Sequence, residues 1–457
     1  MLKSRAEIDM TKGVVWEQLV LFAVPVLLGE VFQQSYSIAD SAILGHYVGD
    51  TALAAVGAAE SITRLLVGFF NGISLGCTIV VARCFGEQNL EKLSQTVHTI
   101  VYMSFALGVL LSLLGILIVN RMLALVSTPE DVFPMAKEYL TIYFAGMSGL
   151  VLYNTISGIM RAVGDSRHPL YFLIFSSVLN ITLDILFVAV WKMEIAGGAL
   201  ATILSQFISA GLCMRLLIKT NQPWRFQFKG TLNHKIICEV LRTGIPVGLQ
   251  KSITSLSNVI VLSYIAEFGK ANLAGWVVYS KVSHVLVVMS QSLSSAETTF
   301  ISQNIGAGQY KRAAKGVKVT LVVSVVQVLA WIGIVLLFRN PITKAFGEGE
   351  EMLAYAQMYI QYLICFQVAH VFMGVYVSAL RGIGKAATGT VLMVIGLVVV
   401  RQIYLMTSAS IIHTPISVGF AYPLGWIVSG VLVWSSYEYH MRKKTAMRGS
   451  EREDNVS

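Results

Sequence analysis

Arg161-Ala-Val-Gly164 returns later in the chain as Arg381-Gly-Ile-Gly384, 220 positions on. The same interval separates Gly86 from Gly306 and Leu53-Ala54 from Leu273-Ala274, and Phe22-Ala-Val-Pro25 aligns with Gly244-Ile-Pro246 after a one-residue gap. Each half also carries about six apolar runs long enough to cross a bilayer. A repeat of this kind predicts two homologous bundles of membrane helices with a path between them, which is transporter architecture.

Composition points the same way. Of 457 residues 55% are apolar and 13% charged, with mean hydropathy +0.68; soluble domains are about 45–50% apolar and about 25% charged. The expected fold is therefore an all-α integral membrane protein whose constant partner is the lipid bilayer. The net charge of +9 comes from basic residues scattered among apolar runs. No RNA- or DNA-binding motif accompanies them, so a nucleic-acid partner is not expected. The five cysteines are odd in number, widely spaced and without a CxxC pair, which predicts neither a disulfide framework nor a zinc site. The polar first seventeen residues lack a cleavable-signal pattern, so the first span is expected to drive insertion.

With about 20 apolar residues needed per span, about twelve transmembrane helices are predicted. They fall near 18–44, 52–80, 95–119, 134–160, 168–191, 196–218, 238–267, 271–300, 315–338, 351–380, 387–410 and 417–438. Placing the N-terminus inside leaves only Arg121, Lys137, Lys192, Lys270, Arg339 and Lys344 on the outer side. The remaining loop lysines and arginines, including Lys219, Lys229 and Lys235, then lie inside, which predicts that both termini are cytoplasmic. Six spans per half make the repeat parallel. The expected organisation is two pseudo-symmetric six-helix bundles, 1–218 and 237–440, joined by a cytoplasmic linker at 219–236 and followed by a cytoplasmic tail at 441–457.

Gly68, Gly72 and Gly76 recur every fourth residue, placing them on one helix face that admits a close neighbour. The stretch Gly72-Ile-Ser74-Leu-Gly76 also matches a nucleophile-elbow pattern, but mid-span and without triad partners it is read as packing rather than catalysis. Pro25 and Pro246 stand at equivalent places in the first helix of each half, where they fit a kink or hinge.

Ionisable groups at membrane depth are costly unless paired or facing a cavity. Counting at about 1.5 Å per residue brings Asp40, Asn180, Asp184 and Thr202 to one level, with Asn180 one turn from Asp184 on the same face. Two carboxylates, an amide oxygen and a hydroxyl suit one hard monovalent cation such as sodium, or a proton shared between the acids. In the second half Lys251, Lys281, His284, His370 and Arg401 fall within spans, with Glu297 the sparse acidic company. Lys251 is expected to face a cavity or to join a buried pair. Glu60 and Arg64, four apart, are expected to pair, whereas Glu30 and Gln33 have no obvious partner.

The chain resembles the multidrug and toxic compound extrusion (MATE) family over nearly its whole length. The resemblance rests on Pro25 followed by Asp40, Gly86, Arg161-Ala-Val-Gly164-Asp165, Gly198-Ala-Leu-Ala-Thr202, Gly244-Ile-Pro246, Gln303-Asn304-Ile-Gly306-Ala-Gly308 and Leu380-Arg381-Gly382. It implies a secondary antiporter that expels small organic, often cationic, molecules by alternating access, driven by H⁺ or Na⁺ and needing no cofactor. It further implies a monomer in the bacterial cytoplasmic membrane. Asp40, Asn180, Asp184 and Thr202 fall where that family resembles a cation site, and Gln34, Tyr36 and Asn154 resemble polar lining near it. Lys251 and His370 are the lining candidates of the second half. Thr254 and His370 stand where the norfloxacin-transporter branch has acids, so the chain looks closer to the DNA-damage-inducible branch. The alternative reading is a lipid-linked saccharide flippase of the same superfamily, for which more spans and a more cationic cavity are expected. No channel filter or HExxH-type catalytic motif is present in the sequence.

Overall fold

In a bilayer every backbone N–H and C=O must be satisfied within the protein, which favours long helices over any other open structure. The computed structural model describes residues 8–126, 128–228 and 232–454. Lys229, the first seven residues of the expected 1–218 bundle and the last three of the 441–457 tail lie outside them. The N-terminal half contains α1 (Val15–Tyr47), α2 (Asp50–Gly86), α3 (Leu90–Leu125), α4 (Phe133–Ala145), α5 (Met147–Ala162), α6 (Arg167–Asp184) and α7 (Glu194–Lys219). The second half contains α8 (His234–Ala266), α9 (Lys270–Gly306), α10 (Tyr310–Leu337), the short α11 (Arg339–Lys344), α12 (Glu350–Leu363) and α13 (Gln367–Gly382). After these come α14 (Ala386–Val394), α15 (Arg401–Tyr404), α16 (Ser410–Ile412), α17 (Pro415–Gly419) and α18 (Ala421–Asp454).

Among the described residues, ten helical segments are long and apolar enough to span a membrane. The bent pair α4–α5, which turns by 49°, adds an eleventh. The expected single span at 134–160 is thus two helices meeting at Gly146, whose missing side chain leaves room for Ile203. The twelfth position belongs to α8, 33 residues long. Gln250, Lys251, Ser252, Thr254, Ser255, Ser257 and Asn258 make its middle polar. A second interruption, a 3₁₀ turn at Ile364–Phe366, separates α12 from α13.

The repeat is visible in the backbone. Helices α2 and α9 are both 37 residues long, and α5 and α13 both 16. Gly49 and Gly269, which precede α2 and α9, take φ of 107° and 95°, and Gly164 and Gly384 take 93° and 81°. At Gly164 the left-handed conformation is joined to a close approach: a Cβ there would stand 2.1 Å from the Ile8 carbonyl oxygen, while Ile8 N–H donates to the Gly164 carbonyl at 3.1 Å.

Two compact units emerge, Met1–Asp9 with Val24–Gly248 and Met10–Ala23 with Leu249–Ser457. The division passes through α1 and α8 beside Pro25 and Pro246, and both helices run on through their prolines. In the first unit α5 packs on α3 and α7, and α6 packs on α7, around buried Val97, Ile100, Phe144, Ile156 and Ile159. The same unit holds the linker: Phe226 stacks on His98 with centroids 5.1 Å apart, and His98 Nε2 accepts from the Gln227 amide at 2.7 Å. In the second unit α13 packs on α9, α10 and α18. There Gln303 and Asn304 hold the segment before α1, accepting from Met10 N–H at 3.2 Å and donating to Met10 O at 3.0 Å. Arg312 adds bonds to the carbonyls of Lys12 at 2.7 Å and Gly13 at 2.9 Å. The Gln303-Asn304 motif is therefore a backbone clasp.

Glycine packing is borne out on α2. A Cβ at Gly72 would meet Gly248 N at 2.3 Å, and one at Gly76 would meet Val240 O at 2.7 Å. Ser74, between them, donates to the Asn154 carbonyl at 2.9 Å, a tie between helices. Gly72→Val is accordingly expected to destabilise by about 1–3 kcal/mol or more through overpacking. Gly211→Ala, where nothing lies within 4 Å, should leave stability unchanged or slightly raised. Thermal denaturation of the detergent-solubilised protein followed by size-exclusion recovery reads both, and equal midpoints for the two variants would contradict the packing role.

Candidate cation-coupling site

Three helices of the first unit bring the N-half polar residues together. Asp40 lies in the C-terminal part of α1, Asn180 and Asp184 in the last turns of α6, and Thr202 in α7. Asp184 is the final α-helical residue before a π-helical stretch at Ile185–Val190. Such wider turns interrupt regular helices at functional sites. Asp40 is 8% exposed, Asn180 2% and Asp184 0%, and Thr202 is partly exposed.

The Asn180 amide donates to Thr202 Oγ1 at 3.4 Å, a long bond that turns the amide oxygen the other way. The carboxyl groups of Asp40 and Asp184 are neighbours. Even so, Asp40 Oδ1, Asn180 Oδ1 and both oxygens of Asp184 are buried without a hydrogen-bond partner. Buried acceptors are normally satisfied, and two apposed carboxylates without a counter-charge repel. A cluster of oxygen acceptors with no donor is matched by a bound cation or by a proton held between the acids. Carboxylate, amide and hydroxyl oxygens are the donor set that suits a hard monovalent ion.

Aromatic side chains border the cluster. Tyr36, one turn before Asp40 on α1, and the buried Tyr139 of α4 both lie within electrostatic reach of the two acids. Tyr139 stacks on Tyr143 with centroids 6.2 Å apart. Sequence reading missed Tyr139 because a tyrosine in an apolar run carries no visible cost; the Tyr139/Tyr143 spacing of one helical turn was the available signal. Gln34 is exposed on α1. Asn154 donates its amide to Leu150 O at 2.9 Å and is tied to its own helix. Glu60 and Arg64 pair at 2.5 Å.

In the second unit, Lys251 is exposed on α8, Thr254 accepts from Gln250 at 3.4 Å, and His370 packs edge-on against Trp426 at 5.3 Å. Glu297 is fully buried and both its oxygens lack a partner. Among the described residues no group of three or more His, Cys, Asp or Glu side chains could hold a metal ion, so any ion at Asp40 and Asp184 must also draw on neutral oxygens.

Comparison with known proteins places this geometry in a family. The MatE family model matches twice, over residues 25–186 and 246–407, once per repeat. The probable multidrug resistance protein YoeA of Bacillus subtilis is 27% identical over 450 residues, 96% of either chain. An FAD transporter of Shewanella oneidensis is 26% identical over 353 residues, 76% of this chain and 78% of that one. An outward-facing multidrug resistance MATE family transporter of the MOP superfamily superposes with a TM-score of 0.89 at 19% identity, covering 97% of this chain and 100% of that one. With both repeats matched by one family model, this chain belongs to the MatE family of membrane transporters.

Proposed function

We propose that the chain is a secondary active antiporter that exports small organic, often cationic, compounds in exchange for H⁺ or Na⁺ by alternating access. In this reading it works as a monomer in a bacterial cytoplasmic membrane with both termini inside, needs no cofactor, and is built of bundles 1–218 and 237–440 with the linker 219–236 and tail 441–457 in the cytoplasm. The observation that carries it is the cluster of four buried, unpartnered oxygens on Asp40, Asn180 and Asp184. Relatives named for multidrug resistance and for FAD transport support export of organic molecules.

Asp40 and Asp184 hold the coupling cation in this scheme, Asn180 and Thr202 complete its oxygen shell, and Gln34, Tyr36 and Asn154 line the approach. Lys251 and His370 line the corresponding region of the second half. Entry of the cation relieves repulsion between the acids and lets their helices close on one another; its departure restores the repulsion. Coupling follows because a ligand shifts a conformational equilibrium only by its differential affinity for the two states. No site feature favours the flippase alternative.

Asp40→Asn keeps size and removes the charge. It should reduce gradient-driven efflux of a fluorescent cation in inverted vesicles by about tenfold or more, the scale of one charge-assisted bond, with normal amounts of protein in the membrane. Wild-type efflux by this variant would remove Asp40 from the coupling step.

Because one cation spans both acids, Asp40→Asn and Asp184→Asn should be strongly non-additive. The double variant is expected to transport about as poorly as either single one. Losses that multiply would mean two independent sites. Imposing a sodium gradient and a pH gradient separately on proteoliposomes identifies the driving ion.

A further inference from the structure

Among the described residues Arg401 is a buried cation without an ion-pair partner. It is 1% exposed, and the Tyr422 ring lies 4.9 Å from the guanidinium carbon. Nε donates to Ser257 Oγ at 3.2 Å and Nη1 to Asn258 Oδ1 at 2.9 Å. Ser257 is fully used, since it also accepts from Gln402 Nε2 at 2.8 Å and donates to Leu397 O at 3.3 Å. Nη2 of Arg401 and Oε1 of Gln402 are buried without a partner. All these residues belong to the second unit.

A guanidinium inside a membrane protein is costly unless a negative charge or a full set of acceptors meets it. Ser257 and Asn258 would suffice to anchor the side chain, so the open edge is unexplained by a structural role. Access exists: Asn258 is exposed, and Gln402 and Tyr422 are partly so. The guanidinium thus lies one side-chain layer beneath the surface.

The repeat gives the position meaning. Tyr422 is the counterpart of Thr202, and Arg401 follows the counterpart of Asn180 by one residue. A π-helical stretch at Leu405–Ala409 repeats the one at Ile185–Val190, and α8, which supplies Ser257 and Asn258, is the counterpart of α1, which supplies Asp40. The helix surfaces that assemble two acids in the first unit assemble one base in the second.

The geometry points to an oxyanion-binding site at Arg401, with Asn258 and Gln402 at its edge, that takes a carboxylate or phosphate group of the transported organic molecule. Nη2 and the Asn258 amide supply the donors, a planar guanidinium being suited to such groups, and Gln402 Oε1 accepts from a hydroxyl or amide beside the anion. This inference deepens the transporter reading by assigning a substrate class that carries negative charge, and it rests on that reading only for the step of export.

The test is equilibrium binding by the purified full chain in neutral detergent, read by fluorescence anisotropy, with carboxyfluorescein as the anion and ethidium as the cation. Wild type should bind carboxyfluorescein, and Arg401→Gln should weaken it by about tenfold or more while ethidium affinity stays within about twofold. Because Arg401→Gln leaves polar groups unpaired and can fail to fold, Asn258→Asp is the second variant. Its carboxylate stands at the Nη1 position and neutralises the guanidinium internally, so anion binding should fall equally with thermal stability kept or raised. Unchanged carboxyfluorescein affinity in folded Asn258→Asp would overturn the proposal. So would stabilisation of wild type by phosphatidylglycerol, abolished by Asn258→Asp, without any carboxyfluorescein binding, since the site would then belong to a lipid headgroup. No gradient enters the measurement, so failure of the Asp40→Asn efflux test leaves this result standing, and the reverse holds too.

Discussion

A membrane interior gives an unpaired polar group no water to fall back on, and this constraint organises the protein. Most buried polar side chains answer it locally. Ser74 bonds the Asn154 carbonyl, Asn272 donates to Ile265 O while accepting from Tyr359, and Gln303 with Asn304 clasps Met10. The acceptors of Asp40, Asn180 and Asp184, both oxygens of Glu297 and the open edge of Arg401 are among the charged or amide groups left unmet. At these groups satisfaction by the fold itself stops.

The repeat explains why such places exist on both sides of the chain. Duplication preserves backbone requirements, as in the matched lengths of α2 and α9 and the left-handed glycines at Gly49 and Gly269. It leaves side chains free to diverge. On the first unit's surfaces divergence has left acids, and on the equivalent surfaces of the second unit a guanidinium held by Ser257 and Asn258. Glycine contacts such as Gly72 with Gly248 let backbones meet at distances no side chain permits.

Much of this was legible in the sequence because bilayer thickness sets helix length and turns charge position into a coordinate. The repeat, the spans and the convergence of Asp40 with Asn180, Asp184 and Thr202 all follow from counting residues. What escaped has physical causes. The break at Gly146 leaves no mark, since the two segments together are long and apolar enough to read as one span. The π-helical stretches after Asp184 and Tyr404 depend on packing rather than propensity. Tyr139 was hidden because aromatic rings cost nothing in an apolar helix. Arg401 was visible as a charge within a span, but its neutral partners come from a helix more than a hundred residues earlier, a pairing that spacing alone does not encode.

The central claim is that the N-half acids act as one unit carrying one monovalent cation. The most direct measurement is the number of driving cations bound or released per chain when substrate is added to purified protein, followed with a pH electrode for H⁺ and with radioactive sodium for Na⁺. A single cation per chain, displaced by substrate and absent in Asp184→Asn, is expected. Two cations per chain, or release that persists at full amplitude in Asp184→Asn, would contradict it.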